Sequence, residues 1–172
     1  MNKVNIKTIT KKEFGEFYKL FSSLVKTQFS EYSKKSIEWM LTSKRAFEKE
    51  SMQKAIKNKQ MMTIGAYVSD AIVGFAYGEL PFGGLSRVYW LAIDPIFQRK
   101  GIGRALLGKW EEIVKNLGVH AVHLYSAQHN INFYKKLGYK IIGFDEKSYF
   151  GQDCYIFKKI IQEPKEENFL RE

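Results

Sequence analysis

Seven consecutive residues carry the clearest chemical signal in the chain: Gln98-Arg99-Lys100-Gly101-Ile102-Gly103-Arg104. A glycine-rich turn between a strand and a helix offers backbone N–H groups that no helical carbonyl takes. They lie at the positive end of the helix dipole, and that combination holds phosphate. Arg99, Lys100 and Arg104 add positive charge, and no Asp or Glu occurs between Pro95 and Trp110 to oppose an anion. Three phosphate motifs compete for these residues. The dinucleotide fingerprint GxGxxG/A finds Gly101 and Gly103 but meets Leu106 at its third position, and no acid between Ile113 and Phe144 is there to take a ribose hydroxyl. The pattern GxxxxGK[ST] is approached by Gly103, Gly108 and Lys109. There, Trp110 replaces the magnesium-binding hydroxyl, and the apolar spacing puts Gly108 inside a helix. The third pattern, Q/RxxGxG/A, is met by Gln98, Gly101 and Gly103.

Further along stands Asn132-Phe133-Tyr134-Lys135-Lys136-Leu137-Gly138-Tyr139. The two motifs, in this strand and helix order, resemble the GNAT superfamily of acyl-CoA-dependent N-acetyltransferases. The resemblance runs over residues 61–161, and residues 1–60 share only the usual pair of helices. It implies acetyl-CoA as cosubstrate, no metal, and transfer of the acetyl group to a primary amine by direct attack on the thioester. It further implies that the backbone of Gln98, Arg99, Lys100, Gly101, Ile102, Gly103 and Arg104 holds the coenzyme A pyrophosphate. The main chain of Leu91, Ala92 and Ile93 would pair with the pantetheine arm, and Tyr134 would sit near the thioester sulfur. Two departures stand out. Many members carry an Asn seven residues before the Tyr, where this chain has Ala127, and Asn130 or Gln128 is expected to substitute. Some members carry a glutamate base where this chain has Arg87.

These residue types suit the reaction. Attack of a neutral amine on a thioester develops an oxyanion and expels a thiolate. A phenol can protonate the sulfur and a main-chain N–H can stabilise the oxyanion. Tyr134 is the expected acid, with Leu91 or Ala92 supplying the N–H. An alkylamine with a pKa of about 10.4 must lose a proton near neutral pH. Glu79 is the leading candidate base, on a strand face shared with Val73, Phe75 and Tyr77, and His123 is the weaker one.

The elements that must position these groups are legible from periodicity. Thr10 and Glu13 form a capping-box pattern, and Phe14, Phe17, Tyr18, Phe21, Leu24 and Val25 predict an amphipathic helix over 11–29. A second helical region spans 36–58, where Thr42 and Ser43 could divide it. Strands are predicted at Met61–Val68, Ala71–Leu80 and Leu85–Ile93, with a two-residue hairpin at Ser69-Asp70 and a break at Pro81, Phe82, Gly83 and Gly84. After the glycine turn, a helix with Ile102, Leu106, Trp110, Ile113, Val114 and Leu117 on one side ends at Gly118. A strand at His120–Tyr125, a helix at 129–137, and strands at Tyr139–Phe144 and Cys154–Ile161 follow. The expected fold class is α/β: a single GNAT-like domain over 1–161, its mixed sheet having antiparallel N-terminal strands and a parallel crossover around the cofactor-binding turn. Residues 1–60 would form a helical acceptor-side region, 61–161 the cofactor-binding core, and 162–172 an acidic tail that frays unless Phe169 and Leu170 dock it.

The chain has 172 residues, 45% hydrophobic and 15% aromatic, which excludes disorder and suffices for one core. No apolar run has membrane-spanning length and no signal peptide is seen, so a cytoplasmic location is expected. One cysteine, Cys154, excludes an internal disulfide framework and reads as a core thiol. The net charge of +10 is concentrated in residues 1–60, which hold 14 basic and 6 acidic side chains, or +8. That excess motivates a second hypothesis, a coenzyme A-binding or nucleic-acid or acidic-partner binding module without catalysis. The basic residues of 1–60 are scattered among glutamates rather than grouped, which argues against nucleic acid. The expected partner is a small-molecule or peptide amine, with no membrane contact and homodimer pairing left open.

Overall fold

The computed structural model describes residues 3–29 and 31–170. Seven strands form one mixed sheet in the order β1-β2-β3-β4-β5-β7-β6. The strands are β1 (Asn5–Thr8), β2 (Met61–Val68), β3 (Ala71–Phe82), β4 (Leu85–Ile93), β5 (Ala121–Ser126), β6 (Lys140–Asp145) and β7 (Cys154–Ile160). The helices are α1 (Phe14–Gln28), α2 (Lys34–Thr42), α3 (Lys49–Lys57), α4 (Ile102–Asn116), α5 (Ile131–Lys136) and α6 (Glu166–Phe169). β4 and β5 are parallel, joined through α4, while β1 and β2, β5 and β7, and β6 and β7 pair antiparallel. The α/β class and the parallel crossover are as the sequence predicts.

Several elements depart from expectation for local reasons. β1 has no counterpart in the prediction, because four mostly exposed residues give no alternation to read; its partner β2 supplies the ladder, from Asn5↔Tyr67 to Thr8↔Ile64. Thr10 and Glu13 do meet, with the Thr10 N–H donating to Glu13 Oε2 at 2.9 Å. The turn they close delays α1 to Phe14. The region 36–58 does divide at Thr42 and Ser43: α2 ends at Thr42, and α3 starts anew from Glu48, whose carboxylate accepts from the N–H groups of Glu50 and Ser51. Pro81 does not end β3. The hairpin closes at Gly83-Gly84, both with positive φ (58° and 76°), so the strand runs to Phe82. Ser69 and Asp70 form the other two-residue hairpin, also with positive φ. Leu117, expected on the apolar side of α4, lies just past its end and is 49% exposed, whereas Leu107 within the helix is buried. In the tail, Leu170 is exposed and α6 adds one helical turn. The Phe169 side chain, Arg171 and Glu172, which belong to the tail expectation, lie outside the described residues.

Contacts divide the chain into two compact units, Met1–Tyr77 with Trp90–Lys109, and Gly78–Tyr89 with Trp110–Glu172. The first unit has an aromatic core built by α1. Phe17 and Phe21, both fully buried, pack on Phe75 at ring-centroid distances of 5.2 and 5.7 Å, and Trp90 meets Phe21 and Phe47. Fully burying each such ring contributes roughly 1.5–3 kcal/mol before entropy is counted. In the second unit, Trp110 and Phe157 are fully buried, the Trp110 indole donates to Ser86 Oγ at 3.1 Å, and Cys154 is buried as expected. Among the described residues, no helix is long and apolar enough to cross a membrane.

Candidate active site

The glycine turn is built within the first unit. A short 3-10 segment, Pro95–Phe97, is capped by Asp94, whose carboxylate accepts from the Ile96 N–H at 3.1 Å. The backbone then passes through two left-handed residues, Arg99 (φ 59°) and Gly101 (φ 81°), before α4 begins at Ile102. A Cβ on Gly101 would meet nothing within 4 Å, so conformation rather than space calls for glycine there. The first helical bond runs from the Ala105 N–H to the Gly101 carbonyl. Helix geometry therefore leaves the N–H groups of Ile102, Gly103 and Arg104 without helical acceptors. The first turn of α4 holds no acid, and Arg99, Lys100 and Arg104 are exposed around it. This donor set fits a pyrophosphate. Gly108 lies inside α4, so the Gly103–Lys109 match to GxxxxGK is no loop.

Gln98 is brought directly onto the end of β4. Its side-chain amide donates to the Ile93 carbonyl and to Gln28 Oε1, each at 3.0 Å, and the Gln28 amide donates to the same Ile93 carbonyl at 3.0 Å. Both lone pairs of that oxygen are thereby engaged. The Asp94 N–H bonds the Val73 carbonyl on β3. By strand alternation, Ala92 directs its main chain toward β3 as well, while Leu91 and Ile93 direct theirs to the other edge. Of the three predicted pantetheine contacts, Leu91 thus keeps both an N–H and a C=O on that edge. No sequence signal pointed to Gln28.

In the second unit, Tyr134 sits on α5, which ends at Gly138 with φ 87°. Its ring is buried against Phe157 (5.2 Å) and Tyr139 (6.0 Å). Burial pushes the phenol up to about 12, with an interaction from the Ser126 hydroxyl opposing. Tyr134 therefore keeps its proton at neutral pH. Asn130 Nδ2 donates to Ser126 Oγ at 3.1 Å, so Asn130 and Tyr134 share Ser126, a residue the motif reading passed over. Ala127 caps the 3-10 turn Gln128–Asn130.

Glu79 lies in another cluster of the same unit. Its Oε2 accepts from the Tyr89 hydroxyl at 2.6 Å. The Arg87 guanidinium lies 5.8 Å from the Tyr89 ring centroid and 5.9 Å from that of Tyr125. Burial and the Glu79 carboxylate push the Tyr89 phenol up to about 12. His123 is held below its ordinary value by burial first and then by Lys158, Arg87 and His120, with Glu79 opposing. Its imidazole is neutral at pH 7.

Residues 28–150 match the acetyltransferase (GNAT) domain family. The chain belongs to this family. Among GNAT relatives, a spermidine N(1)-acetyltransferase of Thermoplasma acidophilum is 27% identical over 133 residues, covering 74% of this chain and 79% of that protein. An uncharacterized protein of Mycobacterium leprae is 29% identical over 126 residues, 68% of this chain. The matched regions span 33%, 20% and 43% of the lengths of three of the curated relatives, the first two of which are longer chains. A solved GNAT structure, the PaiA N-acetyltransferase of Thermoplasma acidophilum in complex with coenzyme A, shares the fold with a TM-score of 0.73. Its sequence identity is 22%, and 92% of this chain and 99% of that one are covered.

Proposed function

We propose that this GNAT chain is an acetyl-CoA-dependent N-acetyltransferase acting on the primary amine of a small molecule or peptide. The observation that carries the reading is the Gln98–Arg104 turn, where left-handed backbone at Arg99 and Gly101 leads into an acid-free helix start with free N–H donors. Acetyl-CoA would supply the activated acyl group as a thioester. In this reading the turn's backbone and its three cations bind the pyrophosphate, and the Leu91 N–H donates to the developing oxyanion. Glu79 takes the amine proton, and Tyr134 is the general acid for the sulfur, oriented through Ser126 and Asn130. A phenol at about 12 and a thiol near 8.5 are mismatched by roughly 5 kcal/mol, so the bound state must narrow that gap for the proton to move. Residues 1–161 form the acyltransferase domain of this proposal, with 1–60 on the acceptor side and 162–172 as the tail.

The +8 on residues 1–60 disfavours a strongly cationic acceptor, in contrast to the polyamine for which the Thermoplasma acidophilum relative is named. An amine panel assayed by thiol release tests this, and spermidine as the best substrate would overturn it. Calorimetric titration with acetyl-CoA tests the binding half of the proposal. Micromolar affinity that Gly101→Val weakens at least tenfold supports it. Binding with no amine-dependent thiol release would favour a coenzyme A-binding module instead.

A further inference from the structure

One row of side chains in the second unit is not used by the proposed chemistry. Arg87 on β4 is in register with His123 on β5, His123 with Lys158 on β7, and Lys158 with Lys140 on β6. Directly paired residues put their side chains on the same face of a sheet. At ~4.8 Å per strand, the four side chains form a line ~14 Å long. The helical segments of this unit meet the opposite face, Trp110 through Ser86 and Tyr134 through Phe157. Those strand residues alternate with Arg87 and Lys158, so the basic row faces away from α5 and the second half of α4.

The row is electrostatically incomplete. Like charges directly opposite across strands are destabilising, and Lys158 faces Lys140 in this way. None of Arg87, Lys158 and Lys140 makes an ion pair among the described residues. The Glu79 carboxylate accepts from the Tyr89 hydroxyl and also attracts Arg87, which interacts with Tyr89 as well. Glu79 and Tyr89 thus compensate the Arg87 end of the row and leave Lys158 and Lys140 facing each other at the other end. Arg87 Nε and His123 Nε2 are buried without a hydrogen-bond partner among the described residues, although buried polar atoms in native proteins are nearly always partnered. Arg87, His123 and Lys158 are half-buried and Lys140 is exposed, an arrangement open to a ligand and dry enough to strengthen an ionic contact.

We infer that this row is an oxyanion site that takes a carboxylate or phosphate carried by the acceptor, so that the preferred substrates are amines bearing an anionic group. The substrate role rests on the acetyltransferase proposal, whereas the anion site itself rests on the row. The test is calorimetric binding to the full chain of two matched pairs: 4-aminobutyrate against n-butylamine, and O-phosphoethanolamine against ethanolamine. Thiol release from acetyl-CoA is measured for all four. The expected result is at least tenfold tighter binding of the anionic member in one pair, and which pair responds identifies carboxylate or phosphate. Arg87→Gln and Lys158→Gln should each bring that ratio toward one, while Arg87→Lys retains part of it; the Lys158 variant serves if Arg87→Gln folds poorly. Equal binding within both pairs, or variants that leave the ratio intact, would overturn the site. Discrimination in binding with no thiol release from any amine would sink the acetyltransferase proposal and leave the anion site standing.

Discussion

The side-chain amide of Gln98 donates to the carbonyl oxygen of Ile93 at 3.0 Å, tying the first residue of the glycine turn to the last residue of β4. Gln28, at the end of α1, reaches the same oxygen. The phosphate-type turn and the strand expected to line the pantetheine arm are therefore fixed to one point. Gln98→Ala should leave the fold intact and weaken acetyl-CoA binding about five- to tenfold, the equivalent of roughly one net hydrogen bond. Calorimetry on the variant measures it, and an unchanged Kd would show that the clamp does not position the turn.

Arg99 holds a left-handed backbone at φ 59° without being glycine. That conformation costs an ordinary L-residue roughly 1–2 kcal/mol, and strain of this kind gathers at functional sites. Arg99→Gly is expected to raise the stability of the unliganded protein by about 0.5–1 kcal/mol and to weaken acetyl-CoA binding through the lost charge. Denaturant midpoints and titration of the same preparation give both numbers. A variant that is destabilised would remove the strain argument.

How much of this was readable beforehand depended on the range of each interaction. β2 and β4 fall at the predicted residues because their β-rich runs are bounded by turn residues, and the buried face of α1 follows its three-and-four spacing. β1 was hidden because its existence depends on β2, a partner far along the chain. Of the break expected over Pro81, Phe82, Gly83 and Gly84, the two glycines do make the turn, whereas Pro81 was misleading because β3 runs through it to Phe82. Motif spacing singled out Gly101 and Tyr134 as candidates. Gln28 on Ile93 joins distant segments, while Ser126 beside Tyr134 and Tyr89 on Glu79 join neighbouring elements whose pairing geometry left no mark in the motif spacing. The row Arg87–His123–Lys158–Lys140 needed three strand registers at once.

Tyr134→Phe removes the phenol and keeps the ring that packs on Phe157 and Tyr139. The expected effect is a fall in kcat of at least ~10²-fold with little change in acetyl-CoA affinity. Because burial raises the phenol to about 12, its protonated form persists from acid to beyond neutral pH and is lost only as pH rises through that value. Tyr134 should therefore put no falling limb in the kcat/KM profile of the native enzyme below about pH 11. A limb near pH 9 that vanishes in the Phe variant would contradict the assignment.

Gly78 is needed for space. A Cβ there would lie 2.1 Å from the Arg87 carbonyl oxygen and 2.9 Å from the Val88 Cα, both backbone atoms that cannot swing aside. Gly78→Ala is expected to destabilise by about 3 kcal/mol or more, at the upper end of overpacking costs. Chemical denaturation checks it, and a loss under about 0.5 kcal/mol would mean that β3 and β4 shift apart at little cost.

The most direct measurement of the central claim is amine-dependent release of free thiol from acetyl-CoA by the full chain, with the product identified by mass. The acetyltransferase proposal predicts release that depends on the amine, an N-acetylated product, and loss of turnover in Gly101→Val. Acetyl-CoA bound with micromolar affinity but no thiol released with any amine in a broad panel would contradict it.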